Sequence, residues 1–565
     1  MEHPIASGCG RDHPLLPVST PGKTFVKDAR RLEYLQRGWW PNETIYDVLS
    51  RQSKIVADKT LIVDRGHRTS YGQAVEIADQ LAAGLHRRGV GRGDVVSIQL
   101  PNWRWFPLLE YALARLGAAC NPLPPIYRHR ELRFMLGLVK PKLVITCGVF
   151  RGFDHTAMMA DLRRELPLGR VIVVEGEMRE GMESIEDLLE DPSQLPTAPV
   201  DPDSLSEVAF TSGTTGEAKG VMHTHNSNLC PVLALIRRQG LGADDVILMA
   251  STFGHNTGFV YGGQLPVVLG GTVVLMESWN SGEALKLITE EKVSWCMGAT
   301  PFLQDLCDAA ALRGREATSS LRVFLCSGAP IPRSLLAKAR STIGCAVVSG
   351  WGMTEIGLMT LSDVEDKGDQ AADTDGHTLE GVAIRILDPE GNDASIGEEG
   401  DIVAKGPTLF AGYFDRQKMT EESFLPGGWF TTGDRGRVDE QGNLRITGRS
   451  KDIIVRGGEN IPVVEIEDLL HKHPRIRNVV VIGIPDPRLQ ERACAVVIPA
   501  DEAPLTLEEL KAYLAEMQLA KQYFPEFLVI RESFPTTPSG KVQKFILRQE
   551  LVASFAAAST KENMS

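Results

Sequence analysis

Residues 206–220, SEVAFTSGTTGEAKG, join a short apolar run to a segment crowded with glycine, threonine and serine that closes on Lys219 and Gly220. SEVAF has the length and composition of a strand, so the stretch reads as a rigid strand feeding a loop. Gly213 and Gly216 let backbone N–H groups turn toward an anion, the hydroxyls of Thr211, Ser212, Thr214 and Thr215 add donors, and Lys219 adds positive charge. A Walker phosphate loop needs four residues between its glycines and a lysine directly after the second. Here two residues separate Gly213 from Gly216, and Lys219 stands three beyond Gly216, so the Walker pattern fails. Two readings remain on these residues alone: a phosphate cradle of another type, or a flexible Gly/Ser/Thr-rich connection.

The surroundings are those of an α/β fold. DVVSIQLP (94–101), KLVITC (142–147) and RVIVVEG (170–176) are short apolar runs flanked by turn residues, as in buried strands of a largely parallel sheet. Helical periodicity lies between them. NETIYDVLSRQ (42–52) offers Asn42 or Thr44 as N-cap, and SYGQAVEIADQLAAGLHRRG (70–89) sets Ala74, Ile77, Ala78, Leu81 and Leu85 on one stripe. Strand and helix alternate, which predicts α/β subdomains over 1–447. Composition changes near Gly448, after which a helix (462–473), two strands (478–484, 493–499), a helix (506–517) and a strand (527–533) form a set of about 110 residues, enough for a small separate α/β domain over 448–555. Residues 556–565 read as a disordered tail.

The 565 residues, 43% of them hydrophobic, are long enough for more than one core. The net charge of −13 is spread along the chain, which argues against a nucleic-acid partner, since that affinity normally needs a basic surface. MEHPIASGCGRDHPLL at the N-terminus lacks a basic region followed by an apolar core, and the most apolar stretch, Leu265–Met276, is short and glycine-containing. A soluble, cytoplasmic protein without an integral membrane segment is expected. Nine cysteines with no C-x-x-C pair, among them Cys296, Cys307, Cys326 and Cys345 in apolar surroundings, read as reduced core thiols.

Five further motifs follow the loop in order: SGAP (327–330), GWGMTE (350–355), TGD (432–434), GRSKDIIVRGGEN (448–460) and PTTPSGKVQK (535–544). With TSGTTGEAKG they resemble the signatures of the adenylate-forming superfamily, which comprises acyl-CoA synthetases, peptide-synthetase adenylation domains and firefly-type luciferases. GHNTGFVYG (254–262), MGATPF (297–302), RGGENIP (456–462) and AKQYFPE (520–526) look like the branch of short- and medium-chain fatty acyl-CoA synthetases and cyclohexanecarboxylate-CoA ligases. The resemblance implies a two-step reaction in which a small carboxylic acid attacks the α-phosphorus of ATP, expelling pyrophosphate, and coenzyme A then displaces AMP.

It also implies roles residue by residue. The loop Thr211, Ser212, Gly213, Thr214, Thr215, Gly216 and Lys219 would hold the β- and γ-phosphates. Thr354 would bond the α-phosphate, and Glu355 would ligate Mg2+, a hard cation suited to carboxylate and phosphate oxygens. Ser327, Gly328, Ala329 and Pro330 would run along adenine and acyl group, and Gly350, Trp351, Gly352 and Met353 would form the adjoining wall. Trp351 stands where the family more often has tyrosine: its indole can stack on adenine but brings no hydroxyl. Asp434 would accept from the ribose hydroxyls with Arg449 beside it. His255, otherwise read as a core histidine, would face the acyl group with Phe259, Gly350 and Gly352 as neighbours, and the two glycines would leave room for a ring or medium chain. Lys541 would bridge the acyl carboxylate and α-phosphate, Lys451 would be the hinge of the C-terminal domain, and Gly457 and Gly458 would line the pantetheine tunnel.

Two alternatives compete. An adenylating enzyme of the same kind passes the acyl group to a carrier protein's phosphopantetheine, and a silent binding protein keeps the fold without the chemistry. Thr354, Glu355, Asp434, Arg449 and Lys541 together disfavour the second. The sequence is compatible with a homodimer.

Overall fold

The computed structural model describes residues 28–211, 218–328, 331, 333–365, 370–449, 454–456, 459–461, 463–486, 488–537 and 542–562. After a short helix at Asp28–Gln36, two helices begin where the sequence signals them. Thr44 caps Ile45–Ser53 and Ser70 caps Tyr71–Arg87, each in a reciprocal capping box, and Ala74, Ala78, Leu81 and Leu85 of the latter helix are fully buried. Asn42, the other candidate cap, lies just outside Ile45–Ser53 in the left-handed region, at φ 56°.

Among the described residues, the strands assemble into two large sheets that sandwich these helices. One has eight strands. Its parallel body runs Leu205–Thr211, Ala119–Pro122, Val95–Gln99, Leu143–Cys147, Arg170–Val174 and Met182–Ser184, with Lys219–Thr224 and Gly412–Tyr413 added antiparallel on the first edge. The other has nine. Its body, Ala346–Met353, Val323–Ser327, Trp295–Gly298, Val246–Met249, Thr272–Leu275 and Thr60–Asp64, is parallel and carries antiparallel strands at both edges. Leu81, Leu85, Phe106, Leu109 and Tyr111 fill the core that both sheets share. These sheets are covered on both faces, which is why their strands are continuous apolar runs instead of alternating ones.

The expectation of parallel-sheet subdomains throughout 1–447 needs correcting at its C-terminal end. Residues 383–449 form a third sheet that is antiparallel, with Ala383–Leu387, Gly400–Lys405, Trp429–Val438 and Phe424–Leu425 in order and Leu444–Arg449 paired to Trp429–Val438. Its longest strand, Trp429–Val438, roughly alternates buried and more exposed positions, as strands of one-sided sheets do, and that pattern carries little apolar signal. The sheet runs through Gly448 to Arg449, beyond the expected boundary. From Ile454 onward a fourth sheet forms with its own apolar clusters, one around Ile466, Val481, Val497 and Leu510 and another around Ile482, Val496 and Leu547. Arg445 reaches it through an ion pair to Asp468 at 3.0 Å. The last helix, Lys544–Glu562, continues past residue 555, so most of the expected tail is helical.

Among the described residues, no helix is long and apolar enough to cross a membrane. Eight described cysteines are buried free thiols.

Candidate active site

Four of the sequence motifs end at one place because their strands point there. Val323–Ser327 and Ala346–Met353 are parallel neighbours with Ser327 opposite Gly350, so SGAP and GWGMTE leave the carboxyl edge of the same sheet, the usual ligand edge of α/β sheets. Gly328 turns away from that edge at φ 93°, a conformation that side-chain-bearing residues rarely adopt. On the other large sheet, Leu205–Thr211 and Lys219–Thr224 form an antiparallel pair in which Thr211 lies directly opposite Lys219. The Gly/Thr-rich segment therefore joins the two strands of an antiparallel pair.

Hydrogen bonds join the three sheets at this edge. The Trp351 indole Nε1 donates to Asp434 Oδ2 at 2.8 Å, and Arg449 Nε stands 3.0 Å from Asp434 Oδ1, across the strand pair that sets Asp434 opposite Arg449. Trp351 and Asp434 are both buried, whereas Arg449 is partly exposed. Tyr413 donates its hydroxyl to Glu355 Oε1 at 3.0 Å, and the Lys219 ammonium lies 4.8 Å above the centre of the same phenol ring. Burial pushes the Glu355 carboxyl up from the ordinary carboxylate range. Hydrogen bonds to its own backbone N–H and to Tyr413, together with the charges of Lys219 and Arg449, oppose that shift.

Thr354 is held from behind. His223 Nε2 is 2.6 Å from the Thr354 carbonyl, and a carbonyl only accepts, so Nε2 carries the proton and Nδ1 faces the Ser227 hydroxyl at 3.0 Å as an acceptor. Burial holds the His223 imidazole neutral, with its pKa drawn down to about 4. Sequence reasoning passed over this histidine, Tyr413 and Glu207. A signal was there: HTHNSN (223–228) is a run of six polar residues between an apolar strand and an apolar helix, and all six are buried. Thr224 caps the helix His225–Gln239, Asn226 donates to Asp203 Oδ1 at 2.6 Å, and Asn228 donates to Glu207 Oε2 at 3.1 Å.

The residues expected at the acyl wall divide. His255 caps a short helical turn, its Nδ1 accepting the N–H of Thr257 at 3.2 Å, and it is partly exposed. Its neighbour Asn256 donates to Glu207 Oε2 at 3.2 Å. Phe259 belongs to the main core, edge-on to Phe106 with ring centres 6.5 Å apart. Gly350 and Gly352 do not leave room for a ligand at their Cβ positions: an added Cβ at Gly352 would meet the Gly357 carbonyl at 2.1 Å, and one at Gly350 would meet Leu358 and Leu361 at 3.0 Å. They are small because the hairpin strand Gly357–Leu361 packs there. Ser212, Gly213, Thr214, Thr215, Gly216, Ala329, Pro330, Lys451, Gly457, Gly458 and Lys541 lie outside the described residues.

A family model described as "AMP-binding enzyme" matches residues 49–414, and one described as "AMP-binding enzyme C-terminal domain" matches 465–541. The chain belongs to the adenylate-forming, AMP-binding enzyme family. It is 34% identical to a medium-chain fatty-acid–CoA ligase of Escherichia coli, over 97% of this chain and 98% of the relative. It is 32% identical to a 2,3-dihydroxybenzoate-AMP ligase of Bacillus subtilis, over 92% and 95% of the two chains. Among solved structures, ATP-bound MatB from Rhodopseudomonas palustris superimposes with a TM-score of 0.80 at 28% identity, covering 90% of this chain and 99% of that one. This AMP-forming acid ligase family accounts for both large sheets and the small C-terminal unit, and ATP is its nucleotide.

Proposed function

We propose that the chain is a carboxylate–CoA ligase that makes an acyl-adenylate and pyrophosphate from ATP and a short- or medium-chain or alicyclic acid, then an acyl-CoA and AMP. The observation that carries this reading is the chain of contacts through Lys219, Tyr413, Glu355, Trp351, Asp434 and Arg449, which gathers residues from three sheets at one edge. Identity to a medium-chain fatty-acid–CoA ligase along nearly the whole chain supports CoA as acceptor.

The oxygen of a carboxylate leaves its acyl carbon poorly, so that oxygen first attacks the α-phosphorus of ATP and pyrophosphate departs, which makes AMP the later leaving group. Both reactants are anions, and catalysis must place positive charge and donors where negative charge develops. In this reading Lys219 and the Gly/Thr loop hold the phosphates that leave, the Thr354 hydroxyl donates to the α-phosphate, and Lys541 draws the acid's oxygen onto the phosphorus. Asp434 and Arg449 hold the ribose. The indole of Trp351, anchored by Asp434, lies against the base. Glu355 would hold Mg2+. The Glu355 carboxylate, one oxygen of which takes the Tyr413 hydroxyl, forms a normal magnesium set with phosphate oxygens of the nucleotide. Such an ion would supply positive charge to the leaving pyrophosphate. The C-terminal domain, which follows Arg449, then turns about Lys451, removing Lys541 and bringing Gly457 and Gly458 to the CoA thiol.

Pyrophosphate release across C4–C12, alicyclic and aromatic acids, each with and without CoA, tests the reading. It expects release that becomes catalytic only with CoA and gives a thioester. Release without thioester favours the second reading, transfer to a carrier protein, which the similarity to aryl-acid adenylating enzymes keeps in view.

A further inference from the structure

Tyr413 belongs to none of the motifs that identify the family in this sequence, yet it touches two of the charged groups assigned above. Its hydroxyl donates to Glu355 Oε1 at 3.0 Å while its ring face carries the Lys219 ammonium at 4.8 Å. The residue is itself fixed on several sides. Its backbone pairs with Val221 on the edge of the eight-stranded sheet, its N–H donates to Thr420 Oγ1 at 2.9 Å, and its ring packs edge-on to Phe410 with centres 4.9 Å apart. Phe410 in turn donates its N–H to the carbonyl of Glu355 at 2.9 Å. Side chain and main chain of Glu355 are therefore both gripped by the segment 410–413, which joins the loop-bearing sheet to the GWGMTE hairpin.

We infer that Tyr413 is a positioning residue that sets the Glu355 carboxylate for its cation and seats the phosphate-loop lysine at a fixed distance from it. This rests on the reading of Glu355 as the magnesium carboxylate and Lys219 as a phosphate ligand. A phenol donates one hydrogen bond, so it orients the carboxylate through Oε1 and leaves Oε2 for a metal. An oxygen that orients a metal-binding carboxylate is an outer partner of the kind whose loss weakens metal binding. The ring face does separate work, since it attracts an ammonium through its quadrupole and needs no hydroxyl. One side chain thus spaces the two positive centres that flank a departing pyrophosphate.

The two functions separate by substitution. Calorimetric titration of the full chain with ATP, in the absence of acid, is done with and without Mg2+. In Tyr413→Phe the ring stays and the hydroxyl goes: the gain in ATP affinity that Mg2+ brings to the wild type falls by about tenfold or more, while Mg2+-free affinity is unchanged. In Tyr413→Leu the Mg2+-free affinity falls as well. If the Leu variant does not fold, the Phe variant decides alone. Thioester formation from supplied acyl-adenylate and CoA stays near wild type in Tyr413→Phe. Glu355→Gln separates this inference from the reading beneath it. A normal magnesium gain in Tyr413→Phe, with the gain lost in Glu355→Gln, overturns the role of Tyr413 and leaves the site intact. A normal gain in Glu355→Gln overturns the site assignment itself. Equal losses with and without Mg2+ in Tyr413→Phe indicate a merely structural tyrosine and also overturn the inference.

Discussion

Two regions of this protein hold carboxylates away from bulk water, and they do so in opposite ways. At the nucleotide edge, Asp434 and Glu355 have cationic side chains nearby, Arg449 at 3.0 Å from Asp434 and Lys219 across the Tyr413 ring from Glu355. Behind the helix His225–Gln239, Glu207 and Glu110 are fully interior and have only amides: Asn228 and Asn256 on one oxygen of Glu207, and Gln264 on one oxygen of Glu110 at 2.9 Å. Among the described residues their other oxygens have no hydrogen-bond partner, and neither has either nitrogen of His225, which lines the same small cavity as Glu110. Burial without a counter-charge favours the protonated acid. It pushes Glu207 up to about 7 and Glu110 well above the carboxylate range, and it draws His225 down to about 4. In the first arrangement the charges of Lys219 and Arg449 oppose the effect of burial on Glu355. The second suppresses charge inside the scaffold that positions Asn256 and the HTHNSN run.

The contrast can be broken from the charged side first. Lys541→Ala is expected to lower adenylate formation by roughly a thousandfold, read as acid-dependent ATP–pyrophosphate exchange, and to spare thioester formation from supplied acyl-adenylate. Equal loss in both half-reactions would remove Lys541 from the first step. A smaller effect sharpens the role of the indole: Trp351→Phe keeps a ring for stacking but leaves Asp434 Oδ2 without its donor. An increase of roughly tenfold in KM for ATP, with kcat nearly unchanged, is expected from loss of one hydrogen bond to a charged group. An unaltered KM would make the 2.8 Å contact incidental.

The smallest effect tests the uncharged side. Glu207 has its folded pKa raised above the ordinary 4.5, so its stabilising contribution is complete below pH 4.5 and is lost as pH rises through about 7. Glu207→Gln cannot ionise and buries an extra amide donor. Its melting temperature should lie below wild type at pH 5, with the gap closing by roughly 2–4 °C toward pH 8. A gap that does not change with pH would mean that Glu207 is ionised in the folded protein across that range, with no raised pKa.

Much of the architecture was legible in the chain. Capping boxes, apolar runs and the stripe on residues 70–89 are local, and the structure places helices and strands there. The antiparallel sheet at 383–449 was not legible, because a one-sided sheet with short, mixed strands leaves no continuous apolar run. Gly350 and Gly352 were misread as space for substrate. A glycine in sequence shows only that a Cβ is missing, and the hairpin strand that fills the gap is reached through the fold.

By itself the sequence determined the α/β class, the six ordered motifs and the identity of the charged groups available for adenylate chemistry, since each depends on neighbours within a few residues. Only the tertiary structure decided what holds those groups. Trp351 and Asp434 are 83 positions apart, Tyr413 and Glu355 58, and His223 and Thr354 131. Hydrogen bonds across such separations leave no periodic trace in the chain; they exist because three sheets end at the same edge.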